Sequence, residues 1–213
     1  MKQPINHLAM DLSKTELRIF ATLISPFKIQ EFLDSLPYSD EERYRCPRSV
    51  LQDRKAHCYD GAVFAAAALR MLGYPPLLVD MLPNRRDDDH ILAVFHQKNH
   101  WGAVAKSNFS GLRFREPIYR GLRELIMSYF ESYYNIAKEK TLVGYTAPLN
   151  LNRFNKLHWL VNDTAMDAIA EGLDKNRTYK ILTPAMVRQL SPVDKRSYHA
   201  GLLSANHKGL FRP

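Results

Sequence analysis

Cys58 stands just ahead of Ala62-Val63-Phe64-Ala65-Ala66-Ala67-Ala68-Leu69, a run apolar on every side that only a helix surrounded by protein tolerates. A thiol at a helix start becomes a nucleophile when the positive end of the helix dipole and a nearby imidazole lower its pKa. A lone cysteine is as often an inert small hydrophobe, so the chemistry needs a second residue. His90 supplies it. It opens the extended run His90-Ile91-Leu92-Ala93-Val94-Phe95, directly after Asp87-Asp88-Asp89, which marks an exposed loop. The other histidines, His7, His57, His96, His100, His158, His199 and His207, read as surface or satisfied core residues.

An imidazole base needs an orienting group to hold its tautomer, usually Asp or Asn. A hairpin turning near Gln97-Lys98-Asn99 brings Lys106-Ser107-Asn108 back opposite His90. Asn108 is the first candidate by chemistry, with Ser107 or a bare Cys58–His90 dyad as the alternatives. The chemistry is acyl transfer: the thiolate attacks an amide, His90 protonates the leaving amine, and water or a second amine resolves the thioester.

Three segments together carry a family resemblance: Ala56-His57-Cys58-Tyr59-Asp60-Gly61-Ala62, Asp89-His90, and Trp101-Gly102-Ala103-Val104-Ala105-Lys106-Ser107-Asn108. Over about residues 50–110 the chain resembles the core of the transglutaminase-like, papain-like superfamily of cysteine nucleophiles. The resemblance implies an α+β fold, with Cys on a central buried helix packed on an antiparallel sheet, His on a strand, and Asp or Asn on the next strand. The chain has no Asp at positions 104–110, where that family places its third member; Asn108 gives it the papain-like form. Gln52, six residues before Cys58, resembles the oxyanion-hole glutamine of papain-like enzymes, beside the backbone N–H of Cys58. The implied function is a cysteine peptidase or amidase acting on a protein or peptide amide, with transamidation as the variant outcome. An inactive binding module of the same fold, offering a basic surface to an acidic partner, is the alternative.

The elements that must position these residues are legible in outline. Ser13-Lys14-Thr15-Glu16 is a capping box before Leu17, Ile19, Phe20 and Leu23. Ser25-Pro26 starts a second helix, and residues 37–56 read as polar, Arg-rich loop. Gly73 and Pro75-Pro76 end the central helix. Strands follow at 77–82, 90–95 and 101–105, and the apolar spacing of Leu122, Leu125, Ile126, Tyr129, Phe130 and Tyr133 predicts one amphipathic helix over 118–135. Further helices are predicted around 153–172, 183–190 and 193–203. The organisation is a domain over 1–149 with N-terminal helices, and a basic helical extension over 150–213 packed on it.

Composition bounds the rest. With 46% hydrophobic residues and no run of roughly 18 apolar residues, the chain of 213 residues reads as soluble, and the start Met1-Lys2-Gln3-Pro4 lacks a secretory apolar region. Two cysteines make no disulfide framework, so a cytoplasmic protein with free thiols is expected. Five of the eight excess positive charges fall in residues 150–213. They are scattered singly, which argues for a solvated surface over a nucleic-acid partner. Neither His96 with His100 nor Asp87-Asp88-Asp89-His90 offers four zinc ligands, so no metal and no cofactor is expected.

Overall fold

The computed structural model describes residues 11–213; the Met1–Pro4 start and His7 lie outside the described residues. Helix α1 (Lys14–Thr22) begins at the Ser13 capping box, with Ser13 Oγ accepting from Glu16 N–H at 3.2 Å and Glu16 returning to Ser13 N–H at 2.7 Å. Helix α2 (Pro26–Asp34) is capped by Ser25 with Pro26 in its first turn. The stretch read as loop contains α3 (Pro47–Asp53), which begins at Cys46. Its helicity rests on tertiary contacts that a polar sequence does not advertise: Val50 and Leu51 are buried beneath it.

Helix α4 (Cys58–Met71) is the central helix, with every residue from Tyr59 to Leu69 buried. It ends in a Schellman motif: Tyr74 N–H donates to Leu69 O and Gly73 N–H to Arg70 O, both at 3.0 Å, and Gly73 takes a φ of +91°. At the other end Gly61 lets the chain leaving the sheet come close. A Cβ there would lie 2.2 Å from Lys106 Cβ.

The sheet is antiparallel, with strands β1 (Leu77–Pro83), β2 (His90–Gln97), β3 (His100–Val104), β4 (Arg115–Tyr119), β5 (Leu142–Thr146), β6 (Leu149–Asn150) and β7 (Thr178–Lys180). Their order is β4-β3-β2-β1-β5-β7, with β6 also paired to β1. β2 and β3 turn through Lys98 and Asn99, both at positive φ, the signature of a two-residue I′ hairpin. Helices cover both faces. Ile91, Ala93 and Phe95 pack towards α4, while Leu92 and Val94 join Val79, Met81, Leu125, Tyr129 and Tyr133 on the opposite face. That is why β2 is continuously apolar instead of alternating.

The helix expected over 118–135 is shorter than its periodicity. β4 takes Arg115–Tyr119 as an edge strand on β3, and Gly121 caps α5 (Leu122–Met127), followed by a 3₁₀ turn at Phe130–Ser132. Ser128 ends α5 by donating to Leu125 O at 2.6 Å while accepting from Arg115 Nε at 3.0 Å, so the side chain competes with the helical ladder. The apolar stripe is buried as expected; the backbone beneath it is not one helix. The helix expected at 153–172 is likewise split. A 3₁₀ segment, Leu151–Leu157, closes at His158 with positive φ, and α6 (Ala165–Asp174) follows. Helices α7 (Pro184–Arg188) and α8 (Lys195–Gly201) lie where the pattern places them. A division at 149/150 passes through β6, and beyond it β7 extends the sheet while α6 buries Met166 and Ile169 in the α4 core. Among the described residues no helix is long and apolar enough to cross a membrane.

The Gly61 contact yields a test. Gly61→Ala is expected to cost about 1–3 kcal/mol, because α4 or the Lys106 segment must move to admit the methyl group. Urea denaturation measures it, and an unchanged midpoint would show that the close approach is not rigid.

Candidate active site

The site forms at the N-terminus of α4. His57 is the N-cap, its Nδ1 accepting from Tyr59 N–H at 3.1 Å, and Asp60 at N3 accepts from His57 N–H at 3.4 Å. Asp60 also accepts the Arg45 N–H at 2.7 Å. The Arg45 side chain is wholly buried, donating to Asp53 at 2.8 Å and Ser39 Oγ at 3.2 Å and pairing with Glu41. These bonds fasten segment 38–46 against the helix start. Burial beside Arg45 lowers the His57 pKa to about 4, so the cap stays a neutral acceptor, while burial lifts Asp60 to about 7 against the pull of Arg45.

Cys58 is the first helical residue and a free, half-buried thiol, and its backbone N–H is directed at the Tyr38 phenol oxygen. Its sulfur lies 4.0 Å from Asp89 O. His90, buried at the first position of β2, lines the same cavity of about 60 Å³. Its Nε2 is 2.8 Å from the Leu112 carbonyl oxygen. A carbonyl only accepts, so Nε2 carries the proton and donates. Nδ1 is left with its lone pair. Cys58 and His90 therefore line one cavity, with the imidazole tautomer held by a backbone carbonyl and no hydrogen bond between the two among the described residues.

The remaining candidates lie elsewhere. Both ends of the Asn108 amide are occupied by Asn206: Nδ2 donates to Asn206 O at 2.8 Å and Oδ1 accepts from Asn206 N–H at 2.7 Å. Asn108 lines the cavity but does not orient His90. Extending the β2–β3 register would put Ser107 opposite His90, yet β3 ends at Val104 and the Ser107 hydroxyl accepts from Phe109 N–H at 3.0 Å. Gln52 is exposed near the end of α3 and borders neither cavity beside Cys58. Six residues span too few turns here, because α3 closes at Arg54 with positive φ before the chain reaches Cys58.

The side chain that does approach the sulfur is Tyr38. Ser39 N–H donates to Ala56 O at 3.1 Å and Ala56 N–H to Pro37 O at 3.3 Å, a short parallel bridge that holds Tyr38 beside Cys58. Burial drives the Tyr38 pKa far up, so the phenol remains an O–H donor. Burial and the nearby Asp89 and Asp88 carboxylates raise the Cys58 thiol, the Tyr38 hydrogen bond opposing them; burial lowers His90 to about 4. Thiol and imidazole are both neutral at pH 7. Behind the loop Asp80, buried in β1, pairs with Asp89; burial and then the Asp89 charge raise Asp80, burial and then the Asp88 charge raise Asp89 against the hydrogen bond from Asp80, and Asp80 Oδ1 has no partner among the described residues.

Tyr38, Cys58, Asp88, Asp89 and Gly209 also border a larger cleft of about 550 Å³, walled by Tyr44, Tyr59, Asp167 and Asp174. This cleft is acidic although the chain carries a net charge of +8. Tyr38, Arg45 and Leu112 are the site residues that sequence reasoning misses. The available signal is Asp60 three residues after His57, a carboxylate in the capping position; nothing in the sequence announces a carbonyl as the partner of His90.

The depressed His90 pKa makes acid destabilising. Its stabilising contribution is complete above about 6.5 and is lost as pH falls towards about 4. The stability of His90→Gln relative to the native chain is expected to rise over that interval and to be constant above pH 7. Urea denaturation at fixed pH steps reads it, and a pH-independent difference would show that His90 keeps its ordinary titration.

No protein-family model matches the chain, and no curated protein sequence matches it.

Proposed function

We propose that the protein is a transglutaminase-like cysteine amidase or peptidase that cleaves an amide through a Cys58 thioester. The observation that carries this reading is the shared cavity of Cys58, at the first position of α4, and His90, whose Nε2 is held by Leu112 O so that Nδ1 keeps its lone pair. Because both groups rest neutral, His90 acts as general base during the attack and not through a standing ion pair. Cys58 Sγ bonds to the amide carbon as its proton passes to Nδ1, and the carbonyl oxygen gains negative charge. The Tyr38 O–H, its oxygen held by the Cys58 N–H at the helix terminus, is the donor suited to that oxyanion. The imidazolium then protonates the leaving nitrogen and the C–N bond breaks, leaving a thioester. Water, deprotonated by Nδ1, releases the acid and returns the thiol; an amine in its place gives transamidation.

A second reading is a non-catalytic binding module. The raised Cys58 pKa favours it, since the thiol is not activated in the resting chain. The acidic cleft matches a cationic rather than an acidic partner.

Intact-mass detection of an acyl-enzyme during incubation with a panel of peptide amides separates the two. The adduct and turnover are expected in the native chain, absent in Cys58→Ala, and strongly reduced in His90→Gln. Tyr38→Phe is expected to lower kcat by about 10²–10³ if the phenol stabilises the oxyanion. Acylation at the native rate in His90→Gln would sink the general-base role, and turnover surviving in Cys58→Ala would sink the thioester.

A further inference from the structure

The C-terminal segment lies across the site. Asn206 is gripped by Asn108 through both its N–H and its C=O, and its Nδ2 donates to Tyr38 O at 3.1 Å. Upstream, Ser110 N–H donates to Gly201 O and Ser110 Oγ to Ala200 O, both at 2.9 Å, anchoring the end of α8 beside the same loop. Downstream, Gly209 sits on the Tyr38 ring, where a Cβ would lie 3.1 Å from Cδ1, and Gly209, Leu210 and Phe211 line the cavity that holds Cys58 and His90. With the tail in place that cavity has room for roughly two waters.

The Asn108 grip is the way a side-chain amide binds extended peptide backbone. Gln30 does the same inside this protein, donating to Ala105 O at 3.0 Å and accepting from Ala105 N–H at 3.1 Å. Such a grip reads backbone and not side chain, so it suits any peptide of the right path. The occupying sequence, Asn206-His207-Lys208-Gly209-Leu210-Phe211-Arg212-Pro213, places Gly209 at the border of the cleft walled by carboxylates, with Lys208 and Arg212 exposed to either side of the glycine.

We propose that Asn108 and Tyr38 form a subsite for a peptide backbone that is extended at the gripped residue and then turns through a 3₁₀ segment to a glycine three residues on, and that residues 206–213 fill it as an internal pseudosubstrate shielding Cys58. The acidic cleft that Gly209 borders makes the substrate class a cationic peptide with a small residue against Tyr38, and a substrate must displace the tail to enter the cavity that Cys58 shares with His90. This rests on the acyl-transfer reading for its purpose, but shielding and peptide binding are measurable without turnover.

The test uses the full chain. Asn206→Pro keeps the backbone angle, since Asn206 has φ −78°, while deleting both the N–H given to Asn108 and the amide given to Tyr38. Gly209→Val loosens the tail separately, by crowding Tyr38. In both, iodoacetamide alkylation of Cys58 is expected to rise about tenfold over the native chain, equivalent to ~1.4 kcal/mol of lost shielding, while the buried Cys46 stays unreactive. A synthetic peptide of residues 206–213 added in trans is expected to bind both variants and to return Cys58 to its slow rate. Unchanged Cys58 rates in both variants, or a peptide that fails to protect Cys58, would overturn the proposal. A protecting peptide with no amide turned over would instead leave the tail inference standing and remove the acyl-transfer reading.

Discussion

Everything in this molecule is arranged around the burial of α4. A helix apolar on all sides must be covered by protein, and its first N–H groups must then find partners away from bulk water. His57 and Asp60 satisfy two of them, and the Tyr38 phenol oxygen faces that of Cys58. Because Asp60 is itself buried, it requires the Arg45 N–H and guanidinium, and Arg45 in turn recruits Asp53, Glu41 and Ser39. The same chain of demands that makes the core sound carries Tyr38 to the sulfur. Structural and chemical roles meet in one network.

The electrostatics of the site follow from that burial. Low dielectric disfavours every charged form: the thiol moves up, the imidazole moves down, and the carboxyls at and behind the loop move up. A pair of neutral groups sharing a small cavity is a resting arrangement. Lys106 follows the same rule, with its pKa lowered to about 8 by burial while its ammonium caps α2 through Leu33 O at 2.8 Å. It fixes where the chain leaves β3, and so where Asn108 begins.

Backbone groups do work here that side chains do in the family resemblance. Leu112 O accepts from His90 Nε2, the orienting contact the sequence assigned to Asn108, and Asn108 grips Asn206 instead. A carbonyl holds the tautomer as a carboxylate does, but without the negative charge that stabilises an imidazolium. The low pKa of His90 is consistent with that missing charge.

What is legible in the sequence is what has a local signal. The Ser13 and Ser25 caps, the buried run after Cys58, the Gly73 stop, the strands read at 77–82, 90–95 and 101–105, each within two residues of its observed ends, and the turn near Gln97-Lys98-Asn99 are each specified by residues within a few positions, and the choice of Cys58 with His90 follows from two such element starts. Only the tertiary structure decided what crosses the chain. Tyr38 reaches Cys58 through a bridge to Ala56, and α3 is helical because its inner face is buried. Arg115 is drawn into an edge strand that cuts short a periodic helix. The exchange of Asn108 for Leu112 is of the same kind. A hydrogen bond from His90 to a carbonyl 22 residues away, and one from Asn108 to a backbone 98 residues away, leave no trace in composition or spacing, because every residue carries the same carbonyl.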